Sequence, residues 1–262
     1  MRLAKLIKAC WESSPKDMIN LLVRKLSGKQ LPSPVAKVWT DYMSWLIFAN
    51  AGMLARGNVH CFDYVIKNLP SNAPIIEIGS FCGLSTNMIT YCKQRHRVKN
   101  ILITCDKWIF EGAEKGEMLE EMMGITYKEY REFIKDAFVR NVSLFSRRDL
   151  PYPIEMLSDE FFLAWANKIK IKDTFNRDIT LGGKISFCYI DGNHSYPYVK
   201  RDFENCDKYL ELGGFILFDD SENNNFETFK FEVHKVIKEV IKTGRYELVI
   251  NNPNHLFKKM KD

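Results

Sequence analysis

Several short apolar runs in this chain end on residues able to bind or move charge. Ile75-Ile76-Glu77-Ile78 runs into Gly79-Ser80-Phe81-Cys82-Gly83-Leu84-Ser85-Thr86. Glycines at 79 and 83 allow a backbone to pass close to a ligand and a helix to begin. Glu77 stands where a dinucleotide-binding fingerprint carries its first glycine, and a pyrophosphate disfavours a carboxylate there. The turn therefore suits a ligand with a cationic end, its structural alternative being a tight strand-to-helix connection. A second run, Ile101 to Cys105, ends at Asp106, whose carboxylate can take both hydroxyls of a ribose or cap a helix. Trp108, two residues on, is placed either to border an adenine face or to pack in a core.

The third and fourth runs bring acids together. Ile185 to Ile190 ends on Asp191-Gly192-Asn193-His194, and Phe215 to Phe218 ends on Asp219-Asp220. Three carboxylates at two strand ends repel one another unless a cation lies among them. Mg²⁺ or a similar divalent cation accepts such hard oxygen ligands while keeping positions for water and substrate. His194, on the same loop, is a candidate base near neutral pH. Without a ligand, the same residues read as an Asp-Gly turn and a helix cap. His60, His96, His234 and His255 read as structural or solvated.

Residues at the ends of separate runs converge only if those runs are neighbouring parallel strands, whose carboxyl ends form the ligand crevice of an open α/β sheet. Val199, Phe203, Cys206 and Leu210 fall on one helical face between the third and fourth runs, with Gly213-Gly214 as the stop, completing a βαβ unit. Tyr246 to Ile250 and His255 to Lys258 read as a closing hairpin across Asn251 to Asn254. Before residue 70 the periodicity is helical: Leu3, Leu6, Ile7 and Cys10; then Asp17 to Leu26; then Val38 to Leu54. This divides the chain into an N-terminal helical cap or arm, 1–70, and a core, 71–262, carrying a helical insertion at 107–180. Within the insertion the reading is helices at 113–123, 128–139 and 159–168, a strand near 152–156 and a polar loop after the last helix. Loops at strand ends carry specificity, so the insertion and the N-terminal helices are expected to form the acceptor pocket.

The chain has 262 residues, with 38 Lys and Arg against 33 Asp and Glu, a net charge of +5. That length accommodates one catalytic-sized domain. The small, unclustered charge excess argues against a nucleic-acid partner. Seven scattered cysteines form no metal or redox spacing and read as reduced core thiols of a cytoplasmic protein. Trp45 to Ala55 is too short to span a bilayer, and the first residues lack a signal peptide's apolar region.

The stretch from Glu77 to Thr86 with Asp106 resembles the motifs of class I S-adenosylmethionine-dependent methyltransferases. Ile190 to Asp220 is similar to the group containing macrocin and mycinamicin sugar O-methyltransferases and cephalosporin hydroxylase-like proteins, and more distantly to catechol O-methyltransferase. The resemblance covers roughly residues 70 to 258. It implies a Rossmann-like seven-stranded sheet, mostly parallel with its last strand antiparallel, helices on both faces, and S-adenosylmethionine with Mg²⁺ as cofactors. By this resemblance Gly79, Ser80, Gly83 and Ser85 cradle the methionine end, beside Glu77. Asp106 and Trp108 lie along the adenosine, Ser158 meets the adenine, and Asp191 borders the cofactor. Asp191, Asp219 and Asp220 match the metal ligands and His194 the base. The Asp219-Asp220 pair departs from the Glu-Asp of the sugar enzymes and the Asp-Asn of the catechol type. The implied activity is O-methylation of a hydroxyl on a small natural product of sugar or polyketide type. A carboxyl methyltransferase acting on a modified peptide or small acid, and a binding module without catalysis, are the alternatives. The implied partners are a small-molecule acceptor and a second copy engaged through the N-terminal helices, with no membrane.

Overall fold

Ile75–Ile78 (β1), Leu102–Cys105 (β2) and Ile185–Ile190 (β8) are buried at every position, because the sheet they form is covered on both faces. The computed structural model describes residues 34–109, 115–221 and 231–262. The expected helices at Leu3 to Cys10 and Asp17 to Leu26, and oligomerisation through them, lie outside the described residues. The chain divides into a unit ending at Val38, whose described part is a short helix, α1 (Pro34–Val38), and a unit from Trp39 onward. The second unit carries everything below, including α2 (Asp41–Ala49) and α3 (Arg56–Lys67).

Seven strands form the main sheet. With β5 (Tyr152–Ile154), β9 (Leu210–Phe218), β10 (Tyr246–Asn251) and β11 (His255–Lys259), their order is β10-β11-β9-β8-β1-β2-β5. Pairings from β9 to β5 are parallel, and β11 runs antiparallel to both β9 and β10. The βαβ reading of 185–218 holds, with α7 (Tyr196–Tyr209) as the crossover. Helix α7 ends at Tyr209 instead of at Gly213-Gly214. Leu210 already pairs with Ile185, and the two glycines lie within β9, with Gly213 in left-handed backbone (φ 80°).

Strand alternation sends two sets of side chains to two helical layers. Ile76, Ile78, Cys188 and Ile190 pack with α6 (Ser158–Ala166), α7 and α8 (Val233–Lys242). On the other face Phe62 of α3 meets Phe187 and Tyr189 edge-on, with ring centroids 6.5 and 5.0 Å apart. Glu77, Phe187 and Tyr189 share this second face in the pairing register. It is covered by α3 and by α4 (Leu84–His96), which pack on each other.

The insertion is less helical than its sequence suggests. The described part of 113–123 holds an exposed hairpin, β3 (Met118–Glu120) with β4 (Ile125–Thr126). Gly116 just before it and Gly124 in its turn take φ 68° and 64°, backbone that interrupts a helix. The helix begun near 128 is α5, Tyr127–Phe145, opened by a reciprocal capping box between Thr126 and Glu129. The polar loop after α6 contains a second hairpin, β6 (Lys170–Lys172) with β7 (Asp178–Thr180). Lys170 and Lys172 both reach Asp178 across this exposed hairpin. The six described cysteines are buried and free. No helix among the described residues is long and apolar enough to cross a membrane.

Candidate active site

Gly79 is required by the meeting of three strands. Its N–H donates to the Cys105 carbonyl (2.9 Å), while Asp191 N–H donates to Ile78 O (2.8 Å). With φ at 82°, a Cβ on Gly79 would lie 2.1 Å from the Asp191 carbonyl oxygen. Gly83 caps α4 at φ 85°, and a Cβ there would meet Val142 of α5 at 2.9 Å. Helix α5 is thereby laid across the glycine loop, in an apolar cluster of Cys82, Trp108, Ile134, Phe138 and Val142.

Beneath the loop, Glu77 is fully buried. Thr86 Oγ1 donates to its Oε2 (2.6 Å), and its Oε1 has no hydrogen-bond partner. Burial pushes the Glu77 carboxyl up to about 8, against the hydrogen bonds of Ser85 and Thr86, with Asp191 and Asp106 adding to the rise. Ser80 Oγ is likewise buried and unpartnered, and Ser85 is buried in the first turn of α4. An acidic oxygen and a hydroxyl left unsatisfied beside a glycine turn fit a ligand with an ammonium or sulfonium end.

Asp106 holds the loop itself. Its Oδ2 accepts from the Ser80 and Phe81 amides (2.8 and 3.0 Å), and its Oδ1 from the Trp108 amide (2.7 Å). Burial nonetheless raises this carboxyl, the three amides opposing. Trp108 is packed inside the cluster under α5, its indole N–H donating to Phe81 O (2.9 Å). Ser158 opens α6 and bonds to the buried Asp202 carboxylate. The sequence reading missed the amides that anchor the loop from outside: Asn50 and Asn141 both donate to the Cys82 carbonyl at 2.9 Å. No motif marks them, because they come from the end of α2 and from α5.

Two of the three acids expected as ligands come together, and His194 stands with them where Asp220 was expected. Asp191, His194 and Asp219 each present a ligand atom within 4.8 Å of the others, and Asp220 is not in this group. Asp220 takes left-handed backbone (φ 45°), and its Oδ2 lies 3.0 Å from His194 Nδ1. His194 Nε2 is 3.4 Å from Asp191 Oδ1. Burial depresses the imidazole's basicity, but the Asp191 and Asp220 carboxylates outweigh it and bring His194 to about 10. Asp219 is 2 % exposed, and burial beside Asp191 and Asp220 drives its carboxyl well above the ordinary range. Two carboxylates and an imidazole offer the oxygen and nitrogen donors that a divalent cation accepts, and a bound cation would displace the protons this crowding holds on Asp219 and His194.

Three further residues touch these acids, and none was a candidate from sequence. Tyr189 Oη donates to Asp191 Oδ2 (2.9 Å), and the Asn58 and Asn254 amides donate to Asp219 Oδ1. Asn58 is on α3 and Asn254 in the β10–β11 turn. Their approach depends on Gly57, where a Cβ would lie 1.6 Å from Asn252 O. Gly57→Ala is expected to push this turn off α3 and cost about 1–3 kcal/mol, as overpacking does. Urea unfolding checks this, and an unchanged midpoint is the contrary result. Of the other histidines, His96 pairs with Asp63 and His255 Nδ1 with Ser221 Oγ, both structural contacts.

Comparison with known proteins bears on the family and the fold. A family model described as a methyltransferase domain matches residues 76–221, more than half of the chain. An uncharacterized protein of Acanthamoeba polyphaga mimivirus is 25% identical over 193 residues, 71% of each chain. Among solved structures, the O-methyltransferase from Bacillus cereus in complex with S-adenosylhomocysteine aligns over 93% of this chain and 97% of its own, with TM-score 0.51 and 14% identity. An S-adenosylhomocysteine-bound Podospora anserina methyltransferase aligns over 96% and 97%, with TM-score 0.52 and 12% identity. At these identities the structural likeness speaks for the fold, the Rossmann-like methyltransferase sheet.

Proposed function

Because the chain belongs to the methyltransferase-domain family, we propose that it is an S-adenosylmethionine-dependent, divalent-cation-assisted O-methyltransferase acting on a hydroxyl of a small molecule, of sugar or polyketide type. The observation that carries the O-transfer reading is the convergence of Asp191, His194 and Asp219 within 4.8 Å, on loops continuous with the glycine turn. The S-adenosylhomocysteine named for both structural neighbours supports the choice of donor.

The donor supplies a methyl group on a sulfonium, and a divalent cation, Mg²⁺ in the first instance, supplies Lewis acidity toward the acceptor oxygen. The chain's residues do the remaining work. Glu77 and Ser80 offer unsatisfied oxygens to the cationic methionine end, beside Gly79, Gly83 and Ser85. Asp106 fixes the loop that receives the adenosine. Trp108 and Ser158 contribute from behind it, since each already has a protein partner. Asp191 and Asp219 are the carboxylate ligands. With Asp191 committed to a cation, one of the two carboxylates that hold a proton on His194 would be neutralised, which frees the imidazole to take the acceptor proton, and Asp220 at its Nδ1 sets which ring nitrogen faces the acceptor. Holding the acceptor oxygen in line with the methyl group is the main rate contribution such a site makes.

His194 also offers a ring nitrogen within the group of ligand atoms, which favours a second reading in which the histidine is the third ligand. His194→Asn separates the two. As a base, its loss lowers kcat by about 10²–10⁴-fold with Mn²⁺ affinity retained; as a ligand, its loss removes Mn²⁺ binding. S-adenosylhomocysteine release, followed with a panel of hydroxylated glycosides and polyketides, tests the overall function. Turnover confined to carboxylic acids and indifferent to His194→Asn would instead make the enzyme a carboxyl methyltransferase, because a carboxylate is already ionised.

A further inference from the structure

We propose that Asn58, Asn254 and Tyr189 are positioning residues that select which oxygen of each carboxylate faces the cation, an inference resting on the cation reading above. Their hydrogen bonds form a directed chain. The backbone N–H of Ser221 donates to Asn254 Oδ1 (3.0 Å), and Asn254 Nδ2 donates to Asn58 Oδ1 (3.0 Å). Asn58 Nδ2 then faces Asp219 Oδ1 and Tyr189 Oη, the latter at 3.2 Å, and Tyr189 Oη donates to Asp191 Oδ2 at 2.9 Å. Asn254 Nδ2 adds a second bond to Asp219 Oδ1 at 2.6 Å.

A backbone N–H can only donate, so the first link fixes the orientation of the Asn254 amide. That orientation fixes Asn58, and Asn58 leaves the tyrosine proton only Asp191 to serve. Asp219 Oδ1 and Asp191 Oδ2 are thereby committed to the protein. Asp191 Oδ1 and Asp219 Oδ2 are the oxygens that no link of the chain uses.

The donors are also neutral. Asn58, Asn254 and Tyr189 are at most 1 % exposed, so their bonds hold direction without competition from water. Asp191 and Asp220 both pair with His194, and the Asn58 and Asn254 amides both donate to Asp219 Oδ1. Amides and a phenol carry no positive charge, so they orient the carboxylates without competing with a cation for them. Ser221 follows Asp219-Asp220 directly, so the chain begins at the end of β9 and finishes on Asp191 at the end of the neighbouring β8.

The test is Mn²⁺ titration of the full chain by calorimetry, with S-adenosylhomocysteine affinity measured alongside. Asn58→Leu keeps the bulk and removes every donor; Tyr189→Phe removes one hydroxyl. Each is expected to weaken Mn²⁺ binding by about 10–100-fold, the range typical of groups that orient metal ligands. S-adenosylhomocysteine affinity should stay at the wild-type value, which a general structural defect would not allow. Wild-type Mn²⁺ affinity in either variant, with S-adenosylhomocysteine still bound, overturns the proposal. If Asn58→Leu does not fold, Tyr189→Phe decides alone. If the wild-type chain itself binds no Mn²⁺, the cation reading fails, which is distinct from a wild type that binds and variants that bind equally.

Discussion

Asp191→Ala is expected to lower methyl transfer by about 10²–10³-fold, the scale on which a single group stabilising charge in a transition state is felt, while leaving S-adenosylhomocysteine binding intact. The separation follows from how Asp191 is built in. Its backbone serves the cofactor loop: the N–H pairs with Ile78 O at 2.8 Å, and the carbonyl backs Gly79 so closely that a Cβ there would be 2.1 Å away. Its side chain serves the acceptor half, between Tyr189 Oη at 2.9 Å and His194 Nε2 at 3.4 Å. Truncation at Cβ removes the second role and spares the first. EDTA should reproduce the loss in the wild type, and added Mg²⁺ or Mn²⁺ should reverse it there but not in the variant. Steady-state turnover and calorimetric titration check both halves. Full activity in the variant and under EDTA would remove the cation from the mechanism.

Glu77→Gln should do the opposite, weakening S-adenosylmethionine binding by roughly 100-fold, as expected for loss of about 3 kcal/mol from a buried charge pair. It should also stabilise the cofactor-free protein in alkaline solution. Glu77 is pushed up to about 8 in the folded chain by burial, whereas an unfolded glutamate titrates at about 4.3. Between those values the unfolded chain has released this proton and the folded chain has kept it, so stability falls as pH rises through the window. Glutamine carries no such penalty. The variant should therefore melt at a higher temperature than the wild type at pH 8, with the gap closing toward pH 4.5. At neutral pH, a cationic ligand that ionises Glu77 releases a proton on binding, so the wild type's binding enthalpy should vary with buffer and the variant's should not. Equal affinities in the two proteins would place the cofactor's charged end elsewhere.

Much of this architecture is written in short stretches of sequence. An apolar run ended by a glycine turn or an acid reads as a buried parallel strand, and strand direction alone puts those terminal residues on the one edge where open α/β sheets take ligands. Glu77, Gly79, Asp106, Asp191, His194 and Asp219 were all legible in this way, and so was the closing hairpin. The insertion was misread where glycines at 116 and 124 take left-handed backbone and replace helix with hairpin, since apolar spacing over ten residues does not tell the two apart. Gly213-Gly214 was misread as a helix stop because a bulged strand start uses the same residues.

The sequence by itself determined which residues reach the crevice, since position along a strand and the conformational freedom of glycine are local properties. Only the tertiary structure decided what each one does there. Asp106 binds the loop amides, Asp220 turns to His194, and His194 joins Asp191 and Asp219. Asn58 and Asn254, far apart in the chain, meet on Asp219 because Gly57 lets a turn press against α3. The direction of a hydrogen bond depends on which donor packing brings within about 3 Å, and no spacing rule along a chain encodes that.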